Sequence, residues 1–247
     1  ITVRHLLDHK GGWDSAGTGY DPMFRVVEIA NSLRIKGRPA NCKDITKFMA
    51  ERRLDFNPGS KTSYSNFGYC MLGRIIEKAS RMDFLKYIKK KIFPRKRRGR
   101  FFSRFRLSKL YKASTLKRFI DEVQYYDDPG RGRNVYNTSQ IVSQPYGAFS
   151  MEALDSCGGL LASAGVLVKF AKKYGALGDP YRRGQHWIFY GTIPGSKALL
   201  HWKPNGITVA ILFNKARNST SDNLGKVYNN ILDVLDRAIA RVRSWPR

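Results

Sequence analysis

The stretch FNPGSKTSYSNFGYCMLGRIIEKAS, residues 56–80, decides the interpretation because a turn, a polar tripeptide and a periodic helix follow one another in it. Asn57-Pro58-Gly59 predicts the turn, and Ser65 or Asn66 is typical of a helix N-cap. The apolar residues that share one broad face of the helix, and that we expect in the core, are Phe67, Met71, Leu72, Ile75 and Ile76. A cap does not require Tyr64, so the tyrosine needs another explanation.

Length and composition indicate a globular protein. The chain has 247 residues, of which 42% are apolar, enough for a substantial core in one domain or two packed lobes. Its 45 Lys and Arg against 19 Asp and Glu give a formal net charge of +26, which predicts salt-sensitive attraction to anionic surfaces. The sequence contains neither an apolar run that could span a bilayer nor a signal-like opening segment.

Cysteine and histidine spacing predicts neither a disulfide framework nor a metal site. Cys42, Cys70 and Cys157 are odd in number and widely spaced, without a Cys-x-x-Cys pair. His5 and His9 are spaced i, i+4, but no Glu follows His5 and no third ligand is evident, so we expect capping or core packing. We predict no metal and no cofactor.

The first half of the chain has helical periodicity. Val3, Leu6 and Leu7 form the apolar stripe of the first helix, and Asp44 is a plausible N-cap of a later one. The predicted helices lie at residues 1–9, 24–33, 44–53, 66–80 and 84–93.

The last third combines strands and helices. A helix is expected from Ser163 to Tyr174, and a hairpin turn at 204–206. The predicted strands are HWIFYG (186–191), SKALLHW (196–202) and GITVAILFN (206–214). A long helix capped by Ser221 or Asp222 should run to about Arg241, and its expected inward residues are Leu224, Val227, Tyr228, Ile231, Leu232, Val234, Leu235 and Ile239. The order predicts an α+β fold in a single domain, 1–247, with a mainly helical lobe (1–155) and a second part (156–247).

A basic segment interrupts this plan. Lys86 to Arg118 carries fifteen Lys and Arg, interleaved with aromatic residues, and no carboxylate lies between Asp83 and Asp121. The composition favours nonspecific binding to an anionic polymer or a membrane surface. The alternative is a solvated surface insertion, and we expect no specific nucleic-acid recognition.

Four blocks carry a family resemblance: ITVRHLLDHKGGWD, residues 56–80, DSCGGLLASAGVLVKFA, and GTIPGSKALL followed by GITVAILFN. In this order they resemble successive blocks of the serine β-lactamase-related family, which includes class C β-lactamases, penicillin-binding DD-peptidases and related esterases. The resemblance covers nearly the whole chain outside the basic segment. It implies a β-lactamase/transpeptidase-like fold, with an antiparallel sheet flanked by helices beside a mostly helical lobe.

The resemblance assigns roles to the tripeptide. The family's Tyr-x-Asn motif matches Tyr64-Ser65-Asn66. It implies that the Tyr64 phenol exchanges a proton with a serine nucleophile and the leaving group, and that Asn66 holds the acyl carbonyl. Because a free tyrosine has a pKa near about 10, Tyr64 needs a neighbouring cation to act as a base. The alternative is a half-buried aromatic residue beside a helix cap.

The family's nucleophile has no counterpart in the expected place. It is the serine of a Ser-x-x-Lys motif upstream of the HLL block, and this chain begins at that block. We therefore expect the first strands and the nucleophile helix to be lacking, so that the chain holds no nucleophile. Ser114–Lys117 matches the pattern, but it lies downstream of Tyr64, in the wrong order, and is interpreted as a chance match.

The third family motif, Lys-Thr-Gly or His-x-Gly, is altered. Phe189-Tyr190-Gly191 aligns with it, so a phenyl ring replaces the cation or imidazole, and His186 should point to the opposite face. The resemblance implies that Tyr190 and Gly191 contact substrate and that the Thr192 amide is an oxyanion donor. Trp13 either lines the pocket, as a family loop near the cleft does, or is a buried structural residue.

Two functions stay open at this point. One is a serine hydrolase-like domain that acts on amide or ester substrates through an acyl-enzyme. We expect this chain by itself to be inactive, because the nucleophile segment is absent from it and its third motif is altered. The other is a noncatalytic pseudoenzyme that binds anionic polymers or membranes. Family members are often exported, which weakly favours an extracellular location.

Overall fold

The computed structural model describes residues 1–93, 106–107, 122–126, 130–174, 187–203, 206–216 and 224–242. Several sequence predictions lie outside these residues: the Ser-x-x-Lys pattern at 114–117, His186, the turn at 204–205, the helix cap at 221–222 and most of the basic segment.

Helices fill the first half of the described chain. They are α1 (Val3–Leu7), α2 (Ser15–Thr18), α3 (Val26–Ser32), α4 (Cys42–Ala50), α5 (Asn66–Ser80) and α6 (Phe84–Tyr87). A π-helix, Ile88–Ile92, continues α6, which confirms the predicted helix at 84–93. Short 3-10 turns occupy Pro22–Phe24 and Gln144–Tyr146. None of the described helices is long and apolar enough to cross a membrane.

The strands pair in three antiparallel groups. β1 (Arg106–Leu107) pairs with β4 (Leu160–Leu161), and β2 (Arg131–Asn134) pairs with β3 (Asn137–Ser143). The largest sheet has the order β5 (Trp187–Ile193), β6 (Ser196–Trp202), β7 (Thr208–Phe213). α7 (Ala164–Tyr174) packs against β6 and β7, and α8 (Leu224–Arg241) follows. The described chain is therefore α+β, as predicted.

The structure decides between two predicted caps of α5 and corrects the predicted cap of α4. Ser65, and not Asn66, caps α5, because its hydroxyl accepts a hydrogen bond from the Gly68 amide at 3.1 Å. Asn41, and not Asp44, caps α4, and Asp44 closes a capping box by accepting from the Asn41 amide at 2.9 Å. The prediction that Asp44 caps α4 was therefore wrong, and with Ser65 as the cap of α5 the Asn66 side chain is left for another role.

The buried face of α5 is narrower than its apolar residues suggest. Its buried residues are Phe67, Gly68, Cys70 and Gly73. Gly73 is required where α5 meets Ser156, since any side chain there would overlap the serine. The residues that we expected to be buried and that are exposed are Val3, Leu7, Ile75 and Val234. Tertiary contacts, and not apolar periodicity alone, select the packed face.

A disulfide joins α4 to α5. Cys42 and Cys70 are bonded, with their Cα atoms 6.0 Å apart and 28 positions apart in the chain, while Cys157 is free. The number and spacing of the cysteines did not imply this bond, which forms because the packing of two helices brings Cys42 and Cys70 together.

Candidate functional site

One cavity of about 1100 Å³ brings together residues that the sequence singled out. Tyr64 and Asn66 line it from the N-terminal end of α5, and Tyr190, Gly191 and Thr192 line it from β5. Within the described sheet, β5 is an edge strand that pairs with β6. Side chains from the helical half and from the sheet therefore converge on one space.

The turn between β5 and β6 sets the position of β5. Gly195 in this turn has a φ of 81°, and a Cβ added to it would lie 2.9 Å from Pro145 Cγ and 3.0 Å from Tyr125 Cβ. Glycine suits this position because it has no Cβ, so it adopts the left-handed backbone conformation without strain and lets Pro145 and Tyr125 approach closely. The turn can thus lie directly against two residues that also line the cavity.

Trp13 and Phe189 lie outside the cavity lining. Trp13 is 7% exposed and packs edge-on against Phe67, with 4.6 Å between the ring centroids, so the expectation that it lines the pocket is corrected to a structural role. Phe189, which aligns with the family's cation, is 49% exposed and not among the lining residues. Its neighbour Tyr190 lines the cavity instead, as alternation along a strand allows.

A hydrogen-bonded chain fixes the tyrosine and the asparagine. The Tyr64 hydroxyl donates to Asn66 Oδ1 at 3.2 Å, and Asn66 Nδ2 donates to Asp21 Oδ2 at 2.8 Å. Asp21 Oδ1 in turn accepts from the Met23 amide at 2.9 Å, so the carboxylate is fastened to a 3-10 turn. Because a carboxylate only accepts, this chain sets which way the Asn66 amide faces.

The environment keeps the Tyr64 phenol protonated. Desolvation raises its pKa, and the neighbouring Cys157, Asp21 and Tyr69 raise it further. In the described structure the phenol is a hydrogen-bond donor, which suits an acid more than a base.

Cys157 is a cavity residue that sequence reasoning missed. Burial raises the pKa of its thiol well above the usual range, and the nearby Asp155 and Asp21 raise it further. A thiol held protonated in this way is a poor nucleophile at neutral pH. Asp21 was also missed, although Asp before Pro22 is a recognisable turn signal.

The cavity walls are mainly apolar. The apolar side chains that line it include Phe24, Phe149, Met151, Leu154, Leu160, Leu161 and Leu167. Among the described lining residues the charged ones are Glu122 and Arg131. Glu122 accepts from the Tyr125 hydroxyl at 3.1 Å, and the Arg131 guanidinium donates to the Ile141 carbonyl at 3.2 Å. An apolar cavity with a few convergent polar groups is the usual form of a small-molecule site.

A largely buried ion-pair network joins α5 to the segment before Cys157. The Arg74 guanidinium on α5 pairs with Asp155 and lies 3.5 Å from Glu77 Oε1. The three side chains are only 14–16% exposed. Burial raises the pKa of Asp155, although Arg74 opposes that rise. The network ties α5 to the segment that carries Cys157 and Gly158 into the cavity.

Comparison with known proteins adds a family match. The family described as Beta-lactamase matches residues 1–197. The probable fimbrial assembly protein FimD, serogroup H1, of Dichelobacter nodosus is 38% identical over 84 residues, which are 34% of this chain and 18% of that protein. Penicillin-binding protein 4* of Bacillus subtilis (strain 168) is 33% identical over 95 residues, 38% of this chain and 19% of that protein. The matches thus span less than a fifth of these relatives.

A solved structure shows the same fold. The D-amino acid amidase from Ochrobactrum anthropi SV3, complexed with L-phenylalanine amide, aligns with a TM-score of 0.64 at 16% identity. The alignment covers 99% of this chain and 73% of that chain. The likeness confirms the fold class expected from the sequence.

Proposed function

We propose, because this chain belongs to the β-lactamase family and is a hydrolase-like domain of it, that its cavity binds neutral amide or ester substrates for acyl transfer. The observation that carries the proposal is the shared cavity, which Tyr64 and Asn66 line at the start of α5 and Thr192 lines from β5. Its apolar walls favour an aromatic or aliphatic acyl group. The amidase of similar fold is complexed with L-phenylalanine amide, a molecule that combines an aromatic side chain with a primary amide.

Each residue has a role that its contacts support. Asn66 Nδ2 carries a second hydrogen beyond the one given to Asp21, and that hydrogen is suited to bind the acyl carbonyl oxygen. The Thr192 amide is the candidate donor to the oxyanion that forms when a serine oxygen attacks the carbonyl carbon. In a protein completed with a Ser-x-x-Lys segment, the lysine of that segment would take the proton of the attacking serine. The Tyr64 phenol would give its own proton to the departing amine or alcohol and regain one from that lysine.

We further propose that the chain by itself binds such substrates without turning them over. Tyr64 can serve as a base only beside a cation that lowers its pKa, and its described neighbours raise that pKa instead. Arg131, the one basic residue among the described lining residues, is bonded to the Ile141 carbonyl. The sequence has one Ser-x-x-Lys pattern, Ser114–Lys117, and it lies outside the described residues.

Binding of phenylacetamide, a neutral and achiral amide, tests the site directly. Calorimetric titration should show binding to the parent chain and weaker binding of phenylacetate, whose carboxylate would face Asp21 near Asn66. Asn66→Ala should weaken phenylacetamide binding about tenfold, as loss of one hydrogen bond to ligand predicts. The matched control is Asn31→Ala, an exposed asparagine on α3. Equal affinity for parent and Asn66→Ala would refute the proposed site.

Turnover tests the proposed need for a nucleophile. The parent chain should not hydrolyse a short-chain nitrophenyl ester or a chromogenic cephalosporin, and a version completed with a family Ser-x-x-Lys segment should hydrolyse at least one of them. Equal turnover by both proteins would contradict the assignment of the nucleophile.

A second candidate function, adhesion to an anionic polymer, is favoured by the convergence of lysines from two segments. Lys89, Lys90 and Lys91 are exposed on the π-helix, and Lys172 and Lys173 are exposed at the end of α7. The Tyr174 hydroxyl donates to the Ile92 carbonyl at 3.3 Å, and Phe93 lies 5.8 Å from Phe170 between ring centroids. These contacts join the two segments that carry the lysines.

Elution from heparin tests this adhesion. Lys172→Gln/Lys173→Gln should elute at lower salt than the parent, because fewer counterions are released on binding. The matched control, Lys36→Gln/Lys47→Gln, removes the same number of charges from exposed positions elsewhere, and it should elute at higher salt than Lys172→Gln/Lys173→Gln. Identical elution of the two variants, or retention that does not depend on salt, would count against a localised surface.

A further inference from the structure

His9 occupies a backbone conformation that is unusual for its residue type. It follows the end of α1 with a φ of 55°, in the left-handed region that non-glycine residues rarely adopt. Such conformations cost about 1–3 kcal/mol and persist where the surroundings enforce them. Here the His9 amide donates to the Leu6 carbonyl at 3.3 Å and the His9 carbonyl accepts from the Ser63 amide at 2.8 Å.

The imidazole of His9 makes a further contact with the segment before α5. Its Nδ1 accepts from the Ser65 amide at 3.2 Å. Together with the bond from the Ser63 amide, this places a hydrogen bond on each side of Tyr64. Because Nδ1 must carry a lone pair to accept, the neutral imidazole is the form that fits. Burial, which lowers the pKa of His9, favours that neutral form, although Asp8 opposes the shift.

The imidazole ring lies between two tyrosines. Its centroid is 4.7 Å from that of Tyr64, at 40° between planes, and 5.0 Å from that of Tyr69, at 30°. Tyr64 is otherwise 65% exposed, so few other contacts restrict its ring. The ring contact with His9 and the hydroxyl bond to Asn66 therefore define where the phenol sits.

We propose that His9 is a positioning residue for Tyr64, holding the backbone on both sides of the tyrosine and the face of its ring. The catalytic meaning of this role depends on the proposed function, but the placement of Tyr64 does not. His9 then acts through Tyr64 and touches no substrate. This role explains why a histidine is held in a strained conformation directly after α1.

Two substitutions separate the two contacts. His9→Asn keeps an acceptor near the Nδ1 position and tolerates the left-handed backbone, but it removes the ring. His9→Phe keeps a ring and removes the acceptor. His5→Asn is the matched control, because His5 lies in α1 itself and its ring faces Gly59.

The readouts are the fluorine NMR signal of Tyr64 in protein labelled with 3-fluorotyrosine, assigned with Tyr64→Phe, and hydrogen exchange at the Ser65 amide. His9→Asn should move the Tyr64 signal toward that of free fluorotyrosine while Ser65 exchange changes by less than about threefold. His9→Phe should speed Ser65 exchange by at least about tenfold. His5→Asn should change neither.

An unchanged Tyr64 signal in both His9 variants would overturn the proposal. If His9→Phe does not fold, Tyr69→Leu serves as a second variant, because it removes the other ring that packs against the His9 imidazole. The less restricted imidazole should then shift the Tyr64 signal, and an unchanged signal in Tyr69→Leu would also count against the role. Phenylacetamide binding by the parent chain reports on the proposed function separately, so either idea can fail alone.

Discussion

Replacing Arg74 with Met should destabilise the protein strongly. The guanidinium is 16% exposed and contacts two carboxylates, Asp155 and Glu77, that are 16% and 14% exposed. Removing it leaves both carboxylates in a poorly solvated site without their cation. Breaking a buried pair in this way costs about 3–5 kcal/mol of unfolding free energy. Since domains are typically stable by about 5–15 kcal/mol, the loss should be obvious in a denaturant titration.

The size of this loss should depend on pH. Burial already raises the pKa of Asp155, and removal of Arg74 withdraws the main influence that lowers it. A carboxyl group whose pKa is raised on folding contributes stability below its unfolded pKa and loses that contribution as pH rises through the folded pKa. The loss of unfolding free energy in Arg74→Met should therefore be largest near pH 7 and become smaller as the pH falls toward about 4.

Urea unfolding followed by circular dichroism at pH 7 and pH 5 measures both effects. Adding Asp155→Asn to Arg74→Met should recover about 1–2 kcal/mol at pH 7, since it removes one uncompensated charge. The control is Arg4→Met, whose partner Asp8 lies in an exposed i, i+4 pair, and it should cost less than about 1 kcal/mol. A loss below about 1 kcal/mol for Arg74→Met, or the same loss at both pH values, would refute the reasoning.

Three further predictions concern covalent, polar and backbone features. Reduction of the Cys42–Cys70 disulfide should lower the free energy of unfolding by about 3–4 kcal/mol, since the bond closes a loop of 28 positions. Three free thiols in protein unfolded without a reducing agent would contradict the bond. Asp21→Asn should weaken phenylacetamide binding up to about tenfold by releasing the Asn66 amide, and unchanged calorimetric affinity would refute this. Gly195→Ala should lower the free energy of unfolding by about 1–3 kcal/mol, measured by thermal unfolding. An unchanged melting temperature would contradict the close approach of this turn to Pro145 and Tyr125.

Regular elements were predictable where the periodicity was unbroken. Short apolar runs separated by the turn signals TIPG and KPNG located β5, β6 and β7, and helical periodicity located α7 (Ala164–Tyr174) and α8 (Leu224–Arg241). The N-terminal end of α5 was located to within one residue, but the choice between Ser65 and Asn66 as cap depends on the backbone angles of a single residue. Sequence patterns do not encode such angles.

Long-range contacts were the part that the sequence could not supply. The spacing of Cys42 and Cys70 does not reveal that two helices bring their Cα atoms within 6.0 Å. Trp13 follows two glycines in a loop, and only packing against Phe67 distinguishes a core residue from a pocket residue. Asp21 was missed for the same reason, because its bond to Asn66 joins segments 45 positions apart.

The central claim, that Tyr64 and Asn66 share one ligand site with the edge of β5, is tested most directly by titrating isotope-labelled protein with phenylacetamide and following individual NMR signals. The side-chain amide of Asn66 and the backbone amide of Thr192 should shift together, with a common dissociation constant, since both groups line one cavity. Movement of only one of the two signals, or shifts confined to residues outside the cavity, would contradict the claim.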